Sequence, residues 1–308
     1  MEGFINILKP PGMTSHDVVA YLRRTLREKK IGHCGTLDPE AAGVLPVCLG
    51  QATKLASFVV GEMKTYYCEM ALGYETDTQD VWGAVTKVYD PVEEAAVKQN
   101  AEETLKSFIG EQIQETPAFS AVKKDGKSLH RYAREGKPIE GMTRRVTIHE
   151  LDYVGLQEGR LRFIVTCSSG TYVRMICQDI GRKLGTGGVM AFLIRTACGP
   201  FKLADSFTLE DIKVRREHGD TLLKTVLIPK ERLLSDVPAL AVSKEEAQKI
   251  RQGQSLLLEK QPPVARAGEG RHFIWVKDDD HRLAALGYCE SSEENTSSVY
   301  FKPEKTFK

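Results

Sequence analysis

Apolar positions recur along the chain with two periods. In TYYCEMALGY, residues 65–74, they alternate, and Tyr66, Cys68, Met70 and Leu72 share one face. That is the pattern of a half-buried strand. GFINILK, residues 3–9, is a short apolar strand closed by the Pro10-Pro11-Gly12 turn. Helical spacing follows: Val18, Val19, Leu22 and Leu26 fall on one face, with Arg23, Arg24 and Arg27 off it and Thr14 or Ser15 as cap. RLRFIVTCSSGTYVRMICQDIGRKLG, residues 160–185, reads as strand, small-residue turn and helix. Val173, Ile176, Cys177, Ile180 and Leu184 are that helix's expected buried face. Near residue 236 the pattern changes. HFIWV, a polar KDDDH turn and RLAALGY predict a β-hairpin, so the last seventy-odd residues read as a small β-rich unit. Several hairpin-like strands with few helices predict an α+β fold.

The length of 308 residues suits two domains, expected at 1–235 and 236–308. Hydrophobic residues are 41% and charged residues 28%, enough to bury a core without disulfide or metal staples. Lys9 and two prolines interrupt the N-terminus before an apolar signal region can form, and no run is long enough to span a bilayer. The seven cysteines are scattered without a C-x-x-C pair, which predicts reduced thiols in a cytoplasmic protein.

A net charge of +1 hides a segregated pattern. Residues 121–148 hold eight Lys or Arg against three acids, a local excess of +5. Residues 23–30 hold five bases against Glu28, whereas 75–103 are acidic. Basic patches on a neutral whole fit a protein that holds a polyanion on one face.

Two residues stand out chemically. Asp38, in GHCGTLDPEAAGVLPV, precedes a proline as a helix cap often does. Gly43 and Pro46 leave little helix to cap, Ala41 denies it a capping box, and Pro39 biases Asp38 toward extended backbone. Asp38 is therefore either a poor cap or a functional carboxylate: a nucleophile, a base or a ligand. Arg174 lies in the first turn of its helix, where a cation opposes the helix dipole; it is either an ordinary surface arginine or one paired with a carboxylate or a phosphate. YETDTQDVWG superficially resembles a calcium loop, but the sixth position of the EF-hand pattern, counted from Asp77, is Trp82 rather than glycine. P-loop, G-x-S-x-G and H-E-x-x-H motifs are missing.

Several long blocks, in order, resemble the TruB family of tRNA pseudouridine-55 synthases. These are INILKPPGMTSHDVV, GHCGTLDPEAAGVLPVCLGQATKL, KTYYCEMALGYETDTQDVWG, CSSGTYVRMICQDIGRKLG and AFLIRTACGPF. TPAFSAVKKDGKSLHRYAREG is similar to the family's RNA-contacting thumb insertion, about 117–145, and FIWVKDDDHRLAALGYC and VYFKPEKTFK resemble a PUA module. The resemblance implies a central mixed, largely antiparallel sheet with flanking helices plus a small PUA domain. It implies isomerisation of one uridine in the tRNA T-loop, by a monomer acting without cofactor, metal or membrane. Asp38 would be the essential aspartate, attacking the nucleotide or taking a ribose proton. Arg174 would pair with it, Tyr66 and Leu193 would line the base pocket, and Asp80 would belong to a hydrogen-bond network. His33, Lys9, Lys123, Lys124 and Arg131 would serve substrate RNA. Cys34 and Met175 depart from the family's usual residues and are expected to affect packing only. Two other readings are an RNA-guided relative acting on ribosomal RNA and a non-catalytic RNA-binding protein.

Overall fold

A computed structural model describes residues 1–308 except 92, 138, 140, 236, 259–264, 267–271, 279–281, 292–298 and 308. Strand β1 (Gly3–Lys9) leads through the Pro-Pro-Gly turn to helix α1 (Ser15–Leu26). Thr14 is the cap: its hydroxyl accepts from the Asp17 amide at 3.0 Å, and the Asp17 carboxylate accepts from the Thr14 amide at 2.9 Å. The chain continues through β2 (Ile31–His33), β3 (Ala42–Leu49), α2 (Ala56–Gly61), β4 (Lys64–Leu72), β5 (Tyr74–Thr76), β6 (Val85–Val88) and α3 (Glu94–Lys106). Next come β7 (Gly110–Glu115), β8 (Lys123–Lys124), β9 (Lys127–Ser128), α4 (Leu129–Arg134), β10 (Thr143–Gln157), β11 (Arg160–Cys167), α5 (Val173–Leu184), β12 (Gly188–Cys198) and β13 (Phe201–Lys202), then α6 (Leu209–Glu217) and α7 (Asp220–Lys224).

One nine-stranded sheet organises this part, in the order β1-β3-β12-β4-β11-β10-β7, with β2 on β3 and β13 on β12. Only β3 and β12 run parallel; the other pairs are antiparallel. The sheet is thus mixed and largely antiparallel, as the α+β expectation has it. The alternation read in β4 is real: Tyr66, Cys68, Met70 and Leu72 are buried and face α5 and α3. Val18, Val19, Leu22 and Leu26 of α1 pack on β1 and β3, and burying each contributes about 1.5–3 kcal/mol. Helix α5 buries more than its apolar stripe: Arg174 and Gln178 are buried, while Leu184 is only partly so.

A second, six-stranded sheet comprises β14 (Ala239–Ala241), β15 (Leu256–Leu258), β16 (Ala265–Arg266), β17 (His272–Lys277), β18 (Leu283–Ser291) and β19 (Val299–Thr306), with helix α8 (Lys244–Arg251). The predicted hairpin is β17–β18; its turn lies partly outside the described residues. Leu283, Leu286 and Phe307 pack with Phe4, Val44 and Leu55, so this sheet sits against the back of β1 and β3.

Candidate active site

No helix follows Asp38. The Ala41 amide donates to the Asp38 carbonyl at 3.1 Å, and the chain then enters β3. The cap reading therefore falls, and what holds the loop is side-chain chemistry. Lys9, fully buried, donates from Nζ to the carbonyls of Pro10 (2.8 Å), Pro39 (2.8 Å) and Ala41 (2.7 Å). Ser15 accepts from the Leu37 amide at 2.9 Å. Leu37 and Ala41 are buried on either side, while the Asp38 side chain keeps 38% of its surface exposed. Three carbonyls occupy all three Lys9 donors, so the expected RNA contact gives way to support of this loop. Burial lowers the Lys9 ammonium to about 8, against the opposing pull of Glu40 and Asp38.

Gly43 explains how close the loop comes to β12. It pairs with Arg195 in the parallel β3–β12 ladder, at φ +108°. A Cβ there would lie 2.3 Å from the Arg195 carbonyl oxygen, so only glycine fits.

Arg174 finds its anion across the cleft. Its Nε donates to Asp38 Oδ2 at 2.8 Å. Nη1 donates to the Thr78 carbonyl at 2.8 Å and Nη2 to the Phe119 carbonyl at 2.9 Å. The guanidinium is 4% exposed, so a buried cation is neutralised by one carboxylate and two backbone dipoles. The fork ties together Asp38, the β5–β6 connection and the segment between β7 and β10. That connection is braced on the same helix: Glu75 accepts from Gln178 at 3.0 Å and Arg182 at 2.7 Å. Hydrogen bonding to Arg182 holds the Glu75 carboxyl below its ordinary range.

Tyr66 and Leu193 belong to the same buried apolar cluster as Leu37 and Ala41, the residues that flank Asp38 in the chain. Burial pushes the Tyr66 phenol up to about 12, with the Arg195 charge pulling the other way, so it is an O–H donor at neutral pH. Arg195 is 1% exposed and donates to the carbonyls of Val44 (2.7 Å) and Gly35 (3.1 Å). Sequence reasoning missed it, because an arginine inside an apolar strand reads as outward-facing. His33 ends strand β2; burial, then His16 and Arg195, lowers its pKa and favours the neutral ring. Its Nδ1 is buried without a partner. Asp80 turns into its own loop, where Oδ1 accepts from Thr78 Oγ1 at 2.6 Å and the Trp82 amide at 3.2 Å. It reaches Arg174 only through the Thr78 backbone. Lys123, Lys124 and Arg131 are exposed on β8 and α4, in the segment whose Phe119 carbonyl Arg174 holds. Among the described residues no cluster of three or more His, Cys, Asp or Glu could hold a metal.

The arrangement presents one partly exposed carboxylate, held by a buried arginine with three acceptors, at the edge of an apolar cluster that includes a tyrosine and a leucine. Such a wall can bind a flat apolar ring and act on the sugar attached to it. The family model of the TruB family pseudouridylate synthase N-terminal domain matches residues 23–173, and that of the tRNA pseudouridylate synthase B C-terminal domain matches 174–235. The tRNA pseudouridine synthase B of Bacillus cereus (strain ATCC 10987 / NRS 248) is 44% identical over 292 residues, covering 93% of this chain and 92% of that protein. The chain belongs to the TruB family. The Alkaliphilus oremlandii tRNA pseudouridine synthase B is 47% identical over 223 residues, 72% of this chain and 74% of that protein. Among solved structures, a crystal structure of a Cbf5–Nop10–Gar1 complex matches with a TM-score of 0.74 and 27% identity, over 99% of this chain and 85% of that one. An H/ACA ribonucleoprotein bound to a substrate RNA containing 2′-deoxyuridine matches with a TM-score of 0.72 and 26% identity, again over 99% and 85%. In this TruB-family chain Cys34 and Met175 are both buried.

Proposed function

We propose that this chain converts uridine to pseudouridine in tRNA, at position 55 of the T-loop, with Asp38 as the reacting carboxylate. The observation that carries this reading is the Arg174–Asp38 ion pair at 2.8 Å, in a loop whose Leu37 and Ala41 share a buried cluster with Tyr66 and Leu193. The uridine leaves its stack and enters against Tyr66, at an unstacking cost of about a few kcal/mol. The bond between N1 and C1′ breaks, the base turns, C5 bonds to C1′, the C5 proton is released to solvent, and N1 takes up a proton, so the product is an isomer of the substrate. Asp38 acts by attacking the sugar or by taking a ribose proton; both start from the same oriented carboxylate. Arg174 fixes that orientation, and the neutral Tyr66 packs on the base and is placed to exchange a proton.

The segment 117–145 acts as the thumb, with Lys123, Lys124 and Arg131 meeting phosphates, and His33 fills the space the uridine vacates. Residues 236–308 form an RNA-binding PUA module that extends the footprint. The protein works as a cytoplasmic monomer. Relatives at 44–47% identity are named as tRNA enzymes, whereas the ribonucleoprotein structures match at 26–27%, which favours stand-alone tRNA work over RNA guidance.

The test is tritium release from a T-arm stem-loop carrying C5-labelled uridine. The wild type is expected to release one tritium per stem-loop, and none when the position-55 uridine is replaced by cytidine. Failure of the wild type to release tritium would refute the reading.

A further inference from the structure

Trp82 has no part in the chemistry above, yet it stands beside it. Its indole is 54% exposed. A large apolar surface left in water is costly unless something covers it. The loop that carries it is built not to move. Asp77 and Ala84 exchange hydrogen bonds, from the Asp77 amide to the Ala84 carbonyl at 3.0 Å and from the Ala84 amide to Asp77 Oδ1 at 2.8 Å. The Thr76 hydroxyl donates to the Asp80 carbonyl at 2.7 Å, and the Trp82 amide is held on Asp80 Oδ1. The Val81 amide donates to Met190 of β12 and the Met190 amide to Gln79, both at 3.0 Å. A Cβ at Gly83 would fall 2.2 Å from Thr78 Oγ1, a measure of how tightly the chain is folded there. The indole therefore cannot withdraw into the loop without breaking it.

Position and charge identify the occupant. Trp82 is four residues from Thr78, whose carbonyl Arg174 grips at 2.8 Å, so its backbone lies within about 14 Å of the reacting pair's guanidinium contact. Residues 77–86 contain Asp77 and Asp80 and no lysine or arginine, and the neighbouring Glu75 is paired with Arg182, so the loop offers no cation to a phosphate. An uncharged aromatic face attracts a base regardless of backbone charge, and every base has such a face. RNA loops are recognised by stacking splayed bases on aromatic side chains.

We infer that Trp82 is a stacking platform for an unpaired base of the substrate loop flanking the extruded uridine. The inference rests on the tRNA reading above and adds a specificity contact to it. A base contact made by a rigid residue needs little ordering on binding, so it adds to affinity and sets the position of the loop over Asp38.

The chain has two tryptophans, Trp82 and the partly buried Trp275, whose Nε1 donates to the Val237 carbonyl at 2.9 Å. Emission from the full-length protein, titrated with the unlabelled T-arm stem-loop, separates them when wild type is compared with Trp82→Phe. The expected result is quenching in the wild type that saturates with binding and is lost in Trp82→Phe, which retains near-normal affinity through its smaller ring. Trp82→Ala should bind roughly tenfold more weakly, with unchanged far-UV circular dichroism. Unchanged wild-type emission at saturating RNA, quenching that persists in Trp82→Phe, or full affinity in Trp82→Ala would each overturn the inference. Tritium release by the same preparation keeps the two readings apart: release without these Trp82 effects leaves the isomerase standing and removes the platform.

Discussion

The loop around Asp38 and the segment between β7 and β10 meet at one guanidinium, yet they are held in opposite ways. The Asp38 loop is locked from beneath by a buried lysine, a serine and a glycine, with apolar neighbours on both sides. The described residues of the segment from 116 to 142 are mostly exposed or half-buried; its two ends meet through the Thr116–Met142 backbone bond, and Arg174 holds it at the Phe119 carbonyl. Hydrogen bonds in the first region place a single carboxylate; the second carries Lys123, Lys124 and Arg131 outward, where the proposed function puts the RNA. Damage to the first should therefore appear in the rate of chemistry or in stability, and damage to the second in binding and its salt dependence.

The largest effect that would break this contrast is expected at Arg174. Arg174→Lys keeps a charge but cannot serve three acceptors with a planar fork. Single-turnover tritium release should fall by roughly 10²–10³, the range found when one preorganised donor is lost. A rate within threefold of wild type would mean that the ion pair is incidental.

Lys9→Met should cost about 2–3 kcal/mol at pH 7, since three carbonyls lose their donor, measured by urea unfolding. The pH dependence sharpens the point. Because burial lowers the folded-state pKa to about 8, below the lysine's ordinary 10.5, the unfolded chain binds more protons than the folded one between those values. The contribution of Lys9 to stability should accordingly rise with pH across that window, by up to about 3 kcal/mol. The difference between wild-type and Lys9→Met unfolding free energies from pH 7 to 10 measures it. A flat difference would contradict the burial of a charged lysine.

Neutralising Lys123, Lys124 and Arg131 together should weaken stem-loop binding about tenfold at moderate salt and flatten the slope of log K against log salt by about two to three. Stability and the single-turnover rate at saturating RNA should change little. An unchanged salt slope would remove this segment from the RNA interface.

The contrast also marks what could be read from residues alone. The alternation in β4 and the apolar stripe of α1 were legible because each is a local period against one buried face. The thumb's charge was legible because a run of lysines and arginines is local too. Asp38 and Arg174 were visible as local misfits, a cap without a helix and a cation at the wrong end of a dipole. Their meeting was not visible, since it requires β12 to insert between β3 and β4, where Arg195 pairs with Tyr66, 129 residues earlier in the chain. The Thr78 and Phe119 carbonyls are backbone atoms that any residue could supply. Lys9 was misread because a lysine is almost always exposed, and the three carbonyls that reverse this come from two separate segments.

The most direct test separates chemistry from binding at Asp38. Asp38→Asn keeps the shape of the side chain and removes its charge. With the C5-labelled T-arm stem-loop, single-turnover release should fall by roughly 10⁴-fold or more, as when a nucleophile or essential base is lost, while the dissociation constant stays within about threefold. Normal release by the Asn variant, or loss of binding equal to the loss of rate, would contradict the claim that the locked loop exists to hold this one reacting carboxylate.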